Sequence, residues 1–541
     1  MKKYSIELLK QYHKELFINI VLLLAVCVLS IAGPVILKNG LNDIYNSTSI
    51  LKTLFKYACV LFGLYLFKFM QNRFKFWFGL KFKKNEFQKL YNEFFHMNYD
   101  AIQDKEPTYI MERIENTVQT VFNFFSASLT GLLVSMIISI TALCLIFTIN
   151  KTLFIFYLIQ IPLQYIGFKK LLNGEKSRLT LLSKDLQTKR AICKKNLKVI
   201  VSSPENMKQL ADKKGIKDLI VNNFDCVLNA EKKGNQYAMD VCVILDFIAS
   251  TLKNASYIII VIYFGTKIIS FGDLAFLMLI NDMYYSSLSD MLNLQIDMRE
   301  LTGALDFVDI DLRYNVESNG NVRIEHVNEI TIESKSIGYE DNILLANVFA
   351  KFDVGDIVFL TGESGRGKST IAKMIAKLNL NDGVKINNYD IKDINNEDVR
   401  KKILYISQKT ELLPTSIINN ITLGEHYSDD VLDNLYAEPF MDKIIDLGLD
   451  TEIQENRANI SGGNAQKIIL ARTILMDPDV LILDESFNSI DFETGKDIMT
   501  YIRDKFKGRI IILISHSQEY RCLCNKECKI MDKHLIINEI L

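Results

Sequence analysis

The chain has 541 residues, of which 49% are hydrophobic, and its formal net charge is −1. This length predicts more than one domain, and the near-neutral charge gives no argument for a nucleic-acid partner. Nine cysteines are scattered along the chain, several of them in apolar stretches, which is typical of buried thiols in a reducing compartment rather than of a disulfide framework.

The first half of the chain contains six long apolar segments. The first, Leu16–Leu37, is long enough to cross ~30 Å of hydrocarbon as a helix. The other five are Leu54–Met70, Val121–Thr148, Leu153–Phe168, Ile244–Phe264 and Leu274–Leu294. The weakest candidates are the second span, Leu54–Met70, and the fourth, Leu153–Phe168. Six spans predict that both ends of the chain lie on one side of a membrane. We expect the first span to be retained rather than cleaved as a secretory signal, because an even number of spans requires it.

The distribution of lysine and arginine predicts which side that is. Four lysines precede the first span, six Lys or Arg lie between residues 73 and 89, and ten lie between residues 169 and 198. The three opposite loops contain few. Since an excess of Lys and Arg marks cytoplasmic loops, both termini are predicted to be cytoplasmic.

Charged residues inside the last two spans are candidates for function, because an isolated charge in a membrane is costly. Lys253 and Asp282 each lie about ten residues, or about 15 Å, from the outer end of their span. We hypothesise that they form an ion pair that lines a central cavity and rearranges when the cavity opens outward. The alternatives are a static structural pair and a misplaced span boundary. Asp246, near the inner end of span five, is a candidate contact for cationic cargo.

A glycine-rich loop opens the ligand-binding part of the last third. It reads Gly-Glu-Ser-Gly-Arg-Gly-Lys-Ser-Thr, after a short apolar run and before a segment with helical spacing. In such a loop, backbone N–H groups cradle phosphates, the lysine reaches the β- and γ-phosphates, and the serine binds Mg²⁺. The residues predicted to bind ATP here are Gly362, Glu363, Ser364, Gly365, Arg366, Gly367, Lys368, Ser369 and Thr370.

Two later apolar runs end in residues that can complete this site. The run that starts at Val480 ends in Asp484, predicted to hold Mg²⁺ through water, and Glu485, predicted to polarise the attacking water. His516 ends the run that starts at Arg509, where its imidazole can meet the γ-phosphate. A helix cap and a structural histidine are the alternatives, and the order of the motifs favours function.

In this order, the motifs resemble the nucleotide-binding domain of the ATP-binding cassette (ABC) family. Gly362–Ser369 matches the Walker A motif, Val480–Glu485 the Walker B motif, and Ile460–Asn464 the signature. The remaining matches are Gln408 to the glutamine loop, Ser489–Asp491 to the D-loop, His516 to the switch histidine, Tyr339 to the ring stacked on adenine, and Glu455 to the acidic residue of the exporter-type loop before the signature.

The resemblance implies that two cassettes face each other and clamp each ATP between one Walker A loop and the partner's signature. The signature residues implied to bind that ATP are Ser461, Gly462 and Gly463. The implied catalytic residues are Glu485, His516 and Gln408, and the implied Mg²⁺ ligands are Ser369, Gln408 and Asp484. Since the chain has one cassette, we expect a homodimer or a heterodimer with another half-transporter.

The signature departs from the family pattern at three positions. Ile460 stands for the usual leucine, Asn464 for the usual glutamine, and Ala465 for a basic residue. A competent site is expected because Glu485 is intact. A slower site, or a partner chain that supplies a better signature, stays open.

Over the whole chain the order of segments resembles an exporter half-transporter. It implies a multidomain protein: an all-α six-helix transmembrane domain of ABC exporter type (1–310), a linker (311–325) and an α/β P-loop NTPase cassette (326–541). Residues 97–104 and 199–206 resemble the two coupling helices that dock on the cassette region after Gln408. Only about fifteen residues precede the first span, so we expect no peptidase domain there, and any leader cleavage to occur elsewhere.

The resemblance implies ATP-driven export of an amphipathic substrate, a peptide first, with ATP and Mg²⁺ as cofactors and membrane lipid as surroundings. A multidrug or lipid exporter, a siderophore importer on the same fold, and a regulatory ATP sensor that transports nothing stay open. Abundant Lys, Ile and Asn with only seven prolines indicate an AT-rich bacterial genome, so the expected location is a bacterial cell membrane. Cys522, Cys524 and Cys528 have a metal-like spacing but lack a clear fourth ligand, so no metal is predicted there.

Overall fold

The computed structural model of the chain describes residues 3–45, 50–105, 107–173, 212–339, 342–379, 382–408, 410–454 and 459–540, together with 182, 185–186, 188–190, 192–194, 196–197 and 208–210. The chain forms two compact units. The first covers Met1–Met97 and Ala101–Val316, and the second covers Asn98–Asp100 and Glu317–Leu541.

The first unit is built from helices, as predicted. They are α1 (Lys3–Gln11), α2 (His13–Tyr45), α3 (Ile50–Phe95), α4 (Tyr99–Lys105), α5 (Pro107–Asn123), α6 (Leu129–Ile149), α7 (Lys151–Asn173), α8 (Lys214–Gly265) and α9 (Phe271–Asp306). A π-helical segment, Phe124–Ser128, joins α5 to α6, and a second, Phe307–Leu312, follows α9. Each predicted span lies within α2, α3, α5–α6, α7, α8 or α9, so the all-α architecture is confirmed.

Four of these helical elements are both long enough and apolar enough to cross a membrane. They are His13–Asn42, Leu51–Phe95, Pro107–Ile149 and Asp246–Gly265, and α7 adds a shorter apolar stretch, Lys151–Pro162. Large apolar side chains on α3, such as Phe55, Phe62 and Phe69, are exposed. Exposure of aromatic side chains along a helix of this length indicates contact with lipid, because a large exposed apolar face is costly in water.

The second unit contains two sheets. An antiparallel sheet has the strand order β2-β1-β4-β5, and a mainly parallel sheet has the order β10-β9-β3-β8-β7-β6. The strands are β1 (Glu329–Tyr339), β2 (Asn342–Asp353), β3 (Ile357–Gly362), β4 (Val384–Ile386), β5 (Tyr389–Asp390), β6 (Ile403–Ile406), β7 (Val480–Asp484), β8 (Ile510–Ile514), β9 (Lys526–Met531) and β10 (His534–Glu539). The helices are α10 (Lys368–Ile375), α11 (Asn396–Lys402), α12 (Ile417–Thr422), α13 (Asp429–Tyr436), α14 (Asp442–Ile445), α15 (Gly462–Met476) and α16 (Phe492–Lys505).

The central strands of the parallel sheet are buried on both faces. Every residue of β7 and of β8 is buried, as the unbroken apolar runs in the sequence predict for central parallel strands. Alternate residues enter different core clusters: Leu481 and Leu483 lie in one, and Ile482 lies in the other. Because β3, β8, β7 and β6 are parallel neighbours, their carboxyl ends meet at one edge of the sheet.

Candidate functional site

The glycine-rich loop lies at that edge, between the end of β3 and the start of α10. Gly362, Gly365 and Gly367 have φ values of 155°, 77° and 103°, a region that favours glycine. The Nζ of Lys368 donates to the backbone oxygens of Gly362 (2.8 Å) and Glu363 (3.1 Å), so the ammonium group lies inside the loop. This arrangement fits a phosphate group, which would take the place of the carbonyl oxygens as the partner of Lys368.

The other predicted members of the loop lie around this lysine. Arg366 and Glu363 form an exposed ion pair, with 2.6 Å between Nη2 and Oε2. Ser364 and Ser369 are exposed, whereas Thr370 is buried. Ser369 follows Lys368 in the first turn of α10, so this hydroxyl-bearing residue lies at the helix N-terminus beside the loop.

The two carboxylates at the end of β7 have different surroundings. Asp484 is 4% exposed, and its Oδ2 accepts a hydrogen bond of 2.9 Å from the hydroxyl of Tyr405. Glu485 has φ of 54°, and its backbone N–H donates to the oxygen of Ile514 on β8 at 2.9 Å. A left-handed conformation at a non-glycine residue costs on the order of 1–3 kcal/mol and is concentrated at functional sites.

Three side chains converge on the carboxylate of Glu485. Gln408 Nε2 and Asn488 Nδ2 donate to Oε2 at 2.7 and 2.8 Å, and His516 Nε2 lies 3.0 Å from Oε1. They come from the segments that follow β6, β7 and β8, which are neighbours in the sheet. The structure therefore brings the predicted Gln408, Glu485 and His516 together. Asn488 was not predicted; its position three residues after Glu485 is the signal that the sequence offered.

The signature forms the N-terminus of α15. Ser461 is the N-cap, and its Oγ accepts from the backbone N–H of Asn464 at 3.3 Å. A Cβ added to Gly463 would lie 3.0 Å from the backbone oxygen of Ser489, so the D-loop packs closely on this helix end. Gln466 strengthens this contact, since its Oε1 accepts from the N–H of Ser489 at 2.9 Å.

Packing accounts for two of the three departures in the signature. Ile460 is 7% exposed and joins a core cluster, where an isoleucine fills a similar volume to leucine. Ala465 is fully buried, so a basic side chain at this position would lose its hydration. Asn464 is half-buried and its backbone N–H takes part in the cap, and nothing in the structure explains the choice of asparagine there.

The signature and the glycine-rich loop do not meet within one chain. Among the residues that the structure describes, no hydrogen bond or ion pair joins Ser461, Gly462 or Gly463 to Gly362–Thr370. Glu455 lies outside the described residues, as does the segment 199–206. Tyr339 is the last residue of β1, and its backbone pairs with Asn342. Its side chain is not among those that the structure describes.

The three C-terminal cysteines do not form a metal site. Cys522 is exposed, whereas Cys524 and Cys528 are buried in different core clusters. Burial raises the pKa of each of the two buried thiols to about 12, which keeps them protonated. Over the described part of the chain, no group of three or more His, Cys, Asp or Glu side chains could hold a metal ion.

In the first unit, the two charges of spans five and six are paired. Lys253 Nζ lies 2.5 Å from Asp282 Oδ1, which also accepts from the hydroxyl of Tyr257 at 2.7 Å. The neighbouring Asn281 is fully buried and accepts from the hydroxyl of Tyr157 at 2.6 Å. The side chains of Lys253 and Asp282 are 35% and 51% exposed, so this pair faces away from the packed core of its own unit.

Comparison with known proteins identifies both halves of the chain. The sequence model for the ABC transporter transmembrane region matches residues 16–288, and the model for the ABC transporter matches residues 345–488. The chain superposes on a solved structure of a bacterial Atm1-family ABC exporter with ATP bound, with a TM-score of 0.84 and 17% identity, covering 98% of this chain and 95% of the other. At this identity the likeness shows the fold alone.

Three relatives differ in what their names describe. A protein of Rickettsia bellii that carries the provisional name export ATP-binding/permease protein is 30% identical over 48% of each chain. The sublancin-168-processing and transport ATP-binding protein SunT of Bacillus subtilis is 28% identical over 56% of this chain and 44% of its own. The ATP-dependent lipid A-core flippase of Pectobacterium atrosepticum is 34% identical over 32% of this chain and 31% of its own. The chain thus matches about half the length, or less, of these relatives.

Proposed function

Because the chain belongs to the ABC transporter family, we propose that it is an exporter-type half-transporter of a bacterial cytoplasmic membrane. In this proposal, ATP hydrolysis at a dimeric cassette interface drives an amphipathic substrate, a peptide first, outward by alternating access. The observation that carries the proposal is the convergence of Gln408, Asn488 and His516 on Glu485, at the sheet edge that also presents the glycine-rich loop. A protein that only sensed ATP would not need a carboxylate held in this way.

Each residue at this edge has a proposed task. Bound ATP with Mg²⁺ supplies the phosphoryl group that water attacks. Lys368 and the loop amides would bind its phosphates, and Ser369, Gln408 and Asp484 would hold the metal. Glu485 accepts a proton from the attacking water, and His516 orients that carboxylate and the γ-phosphate. Gln408 donates to Glu485 through Nε2, whereas its Oε1 is the atom that would coordinate the metal, so one side chain can serve both roles.

The separation of the signature from the loop supports a dimer. Ser461, Gly462 and Gly463 form the positive end of the 15-residue helix α15, a position suited to the γ-phosphate of an ATP bound by a second cassette. Binding would then close the pair of cassettes, and hydrolysis would release it. We propose a homodimer or a heterodimer with another half-transporter, with residues 1–310 as the transmembrane domain, 311–325 as the linker and 326–541 as the cassette.

The proposed substrate class follows from the relatives and from the membrane unit. The name of SunT describes transport of sublancin-168, which favours a peptide, whereas the lipid A-core flippase favours the lipid alternative. The exposed pair of Lys253 and Asp282 supports a hydrated passage, because a charged pair exposed to lipid would be costly. We propose that this pair lines the passage and separates during transport. Both termini are proposed to be cytoplasmic, which places the ATP site in the compartment that contains ATP.

Reconstitution tests this function. The purified chain is placed in vesicles with its cassettes outside, and ATP-dependent uptake is measured for a fluorescent amphipathic peptide and, in parallel, for the dye ethidium. Uptake of the peptide supports the peptide reading, and uptake of ethidium alone supports the multidrug alternative. ATP hydrolysis without uptake of either probe, and without stimulation by them, would refute export of these classes. Normal transport by a double Lys253→Ala, Asp282→Ala variant would show that the ion pair has no role in the passage.

A further inference from the structure

The chain passes between its two compact units close to Met97 and Val316, and these two residues are joined. Met97 is the last residue of the first unit before Asn98–Asp100, and Val316 is the last before Glu317–Leu541. They form an isolated antiparallel β-bridge. Met97 follows the end of α3, and Val316 follows the π-helical segment after α9. The β-bridge therefore joins the chain just after α3 to the chain just after α9, directly before each segment leaves the first unit.

Arg313 reinforces this connection with a double fork. Its Nε lies 3.1 Å from Glu93 Oε2, and its Nη2 lies 2.9 Å from Glu93 Oε1, near the end of α3. On its other side, Nη1 and Nη2 lie 3.2 and 3.0 Å from the two carboxylate oxygens of Glu7 on α1. The side chains of Arg313 and Glu93 are 20% and 21% exposed, so water screens these bidentate bonds less than it screens a surface pair.

Helix α1 is in turn fixed to α3 by a buried carboxylate. Glu86 is fully buried, and its two oxygens accept from the hydroxyls of Tyr4 (2.6 Å) and Tyr12 (2.9 Å). The guanidinium of Arg313 lies 5.1 Å from the ring centroid of Tyr4. A buried carboxylate that is bonded at both oxygens resists displacement, because any movement leaves a charge unsatisfied.

Charge balance makes Arg313 hard to replace. Glu7, Glu93 and Asp309 all lie within 4 Å of its guanidinium. Among the described residues, Lys89 is the other cation in an ion pair with these carboxylates, at 3.1 Å from Glu7. Although burial alone would raise it, hydrogen bonds from Arg313 and Lys89 hold the pKa of the Glu7 carboxyl below its ordinary value. Loss of Arg313 would therefore leave three carboxylates facing one lysine, and they would repel one another.

We propose that Glu7, Glu86, Glu93 and Arg313 form a strut that makes Met97 and Val316 move as one body. Movement of the cassette then reaches α3 and α9 together rather than separately. Arg313 is a positioning residue in this proposal, which rests on the proposed function. A purely structural role would lower stability in Arg313 variants without changing how ATP binding in the cassette is transmitted to the first unit.

Hydrogen exchange of the full chain in vesicles of phosphatidylethanolamine and phosphatidylglycerol distinguishes these roles. Exchange is compared without nucleotide and with ADP and vanadate, in the wild-type chain, in Arg313→Gln and in Arg503→Gln, an arginine whose ion pair is on the surface. We expect vanadate trapping to change exchange in the cassette of all three. The nucleotide-dependent change in the exchange of residues 86–97 should be about tenfold smaller in Arg313→Gln and unaltered in Arg503→Gln. A factor of about ten is the effect of a typical coupling energy between two sites.

Further variants and outcomes keep the test decisive. Glu93→Gln breaks the fork to α3 while Arg313 keeps Glu7, and it should reproduce the loss if Arg313→Gln fails to fold. Arg313→Lys keeps the charge but not both forks, so an intermediate response is expected. The strut is contradicted if residues 86–97 respond equally in wild type and Arg313→Gln, if Arg503→Gln shows the same loss, or if the wild type shows no response there. A wild-type chain that does not hydrolyse ATP contradicts the proposed function instead.

Discussion

Glu485→Gln is the substitution that most directly tests the assignment of the base. It removes the charge and keeps the shape of the side chain. The remaining amide oxygen can accept from Gln408 and Asn488, which both donate to Oε2. The new NH₂ group then faces His516, whose neutral ring can accept a hydrogen bond. The variant should therefore fold and still bind ATP.

The expected loss of activity is large because the reaction loses its proton acceptor. Removal of a general base lowers a rate by about 10²–10⁴-fold, which corresponds to a barrier higher by about 3–5 kcal/mol. Asn488→Ala removes one of the three groups bonded to the carboxylate and leaves the base in place. For that variant we expect a reduction of about tenfold, the value of one hydrogen bond to a charged group that remains partly hydrated.

Phosphate release and ATP retention should be measured together on the purified chain in lipid. Glu485→Gln should bind ATP as tightly as the wild type or more tightly and release almost no phosphate. Glu493→Gln, an exposed carboxylate on α16, provides the control and should hydrolyse ATP normally. If Glu485→Gln keeps hydrolysis within a few-fold of the wild type, Glu485 is not the base. A loss of equal size in Glu493→Gln would show that the effect is not specific to the site.

Two further predictions concern stability. Arg472 on α15 donates to the backbone oxygen and to Oδ1 of the fully buried Asn420, at 2.7 and 2.9 Å. Arg472→Ala should lower the free energy of unfolding of the cassette by about 1–3 kcal/mol, seen as an earlier midpoint in urea, and an unchanged midpoint would contradict this. The pKa of Glu7 is held below its ordinary value of 4.5. The stability that ionised Glu7 adds to the docking of α1 should therefore be fully present above pH 4.5 and should be lost as the pH falls through the lowered pKa. A spin label at the exposed Ile6 should become mobile in acid, and should do so at higher pH in Arg313→Gln; equal pH dependence in both chains would exclude this ion pair as the cause.

Local chemistry in the sequence was enough to predict much of the molecule. The glycine-rich loop, the apolar run that ends in Asp484 and Glu485, and the long apolar spans each depend on residues that are adjacent in the chain. Covalent spacing alone therefore placed the loop between a strand and a helix, hydropathy indicated a helical membrane unit, and the resemblance to the ABC family implied the α/β cassette that follows it. The family comparisons and the fold confirm these predictions.

Tertiary structure decided which distant side chains meet. Asn488 contacts Glu485 because a turn after β7 brings its amide back to the carboxylate, and the lysine of span five meets the aspartate of span six because α8 and α9 pack in one particular rotation. Arg313 lies 220 residues from Glu93, and nothing near either residue signals the other. Such pairs depend on helix rotation and strand order, which are set by packing of the whole core rather than by any short stretch of sequence.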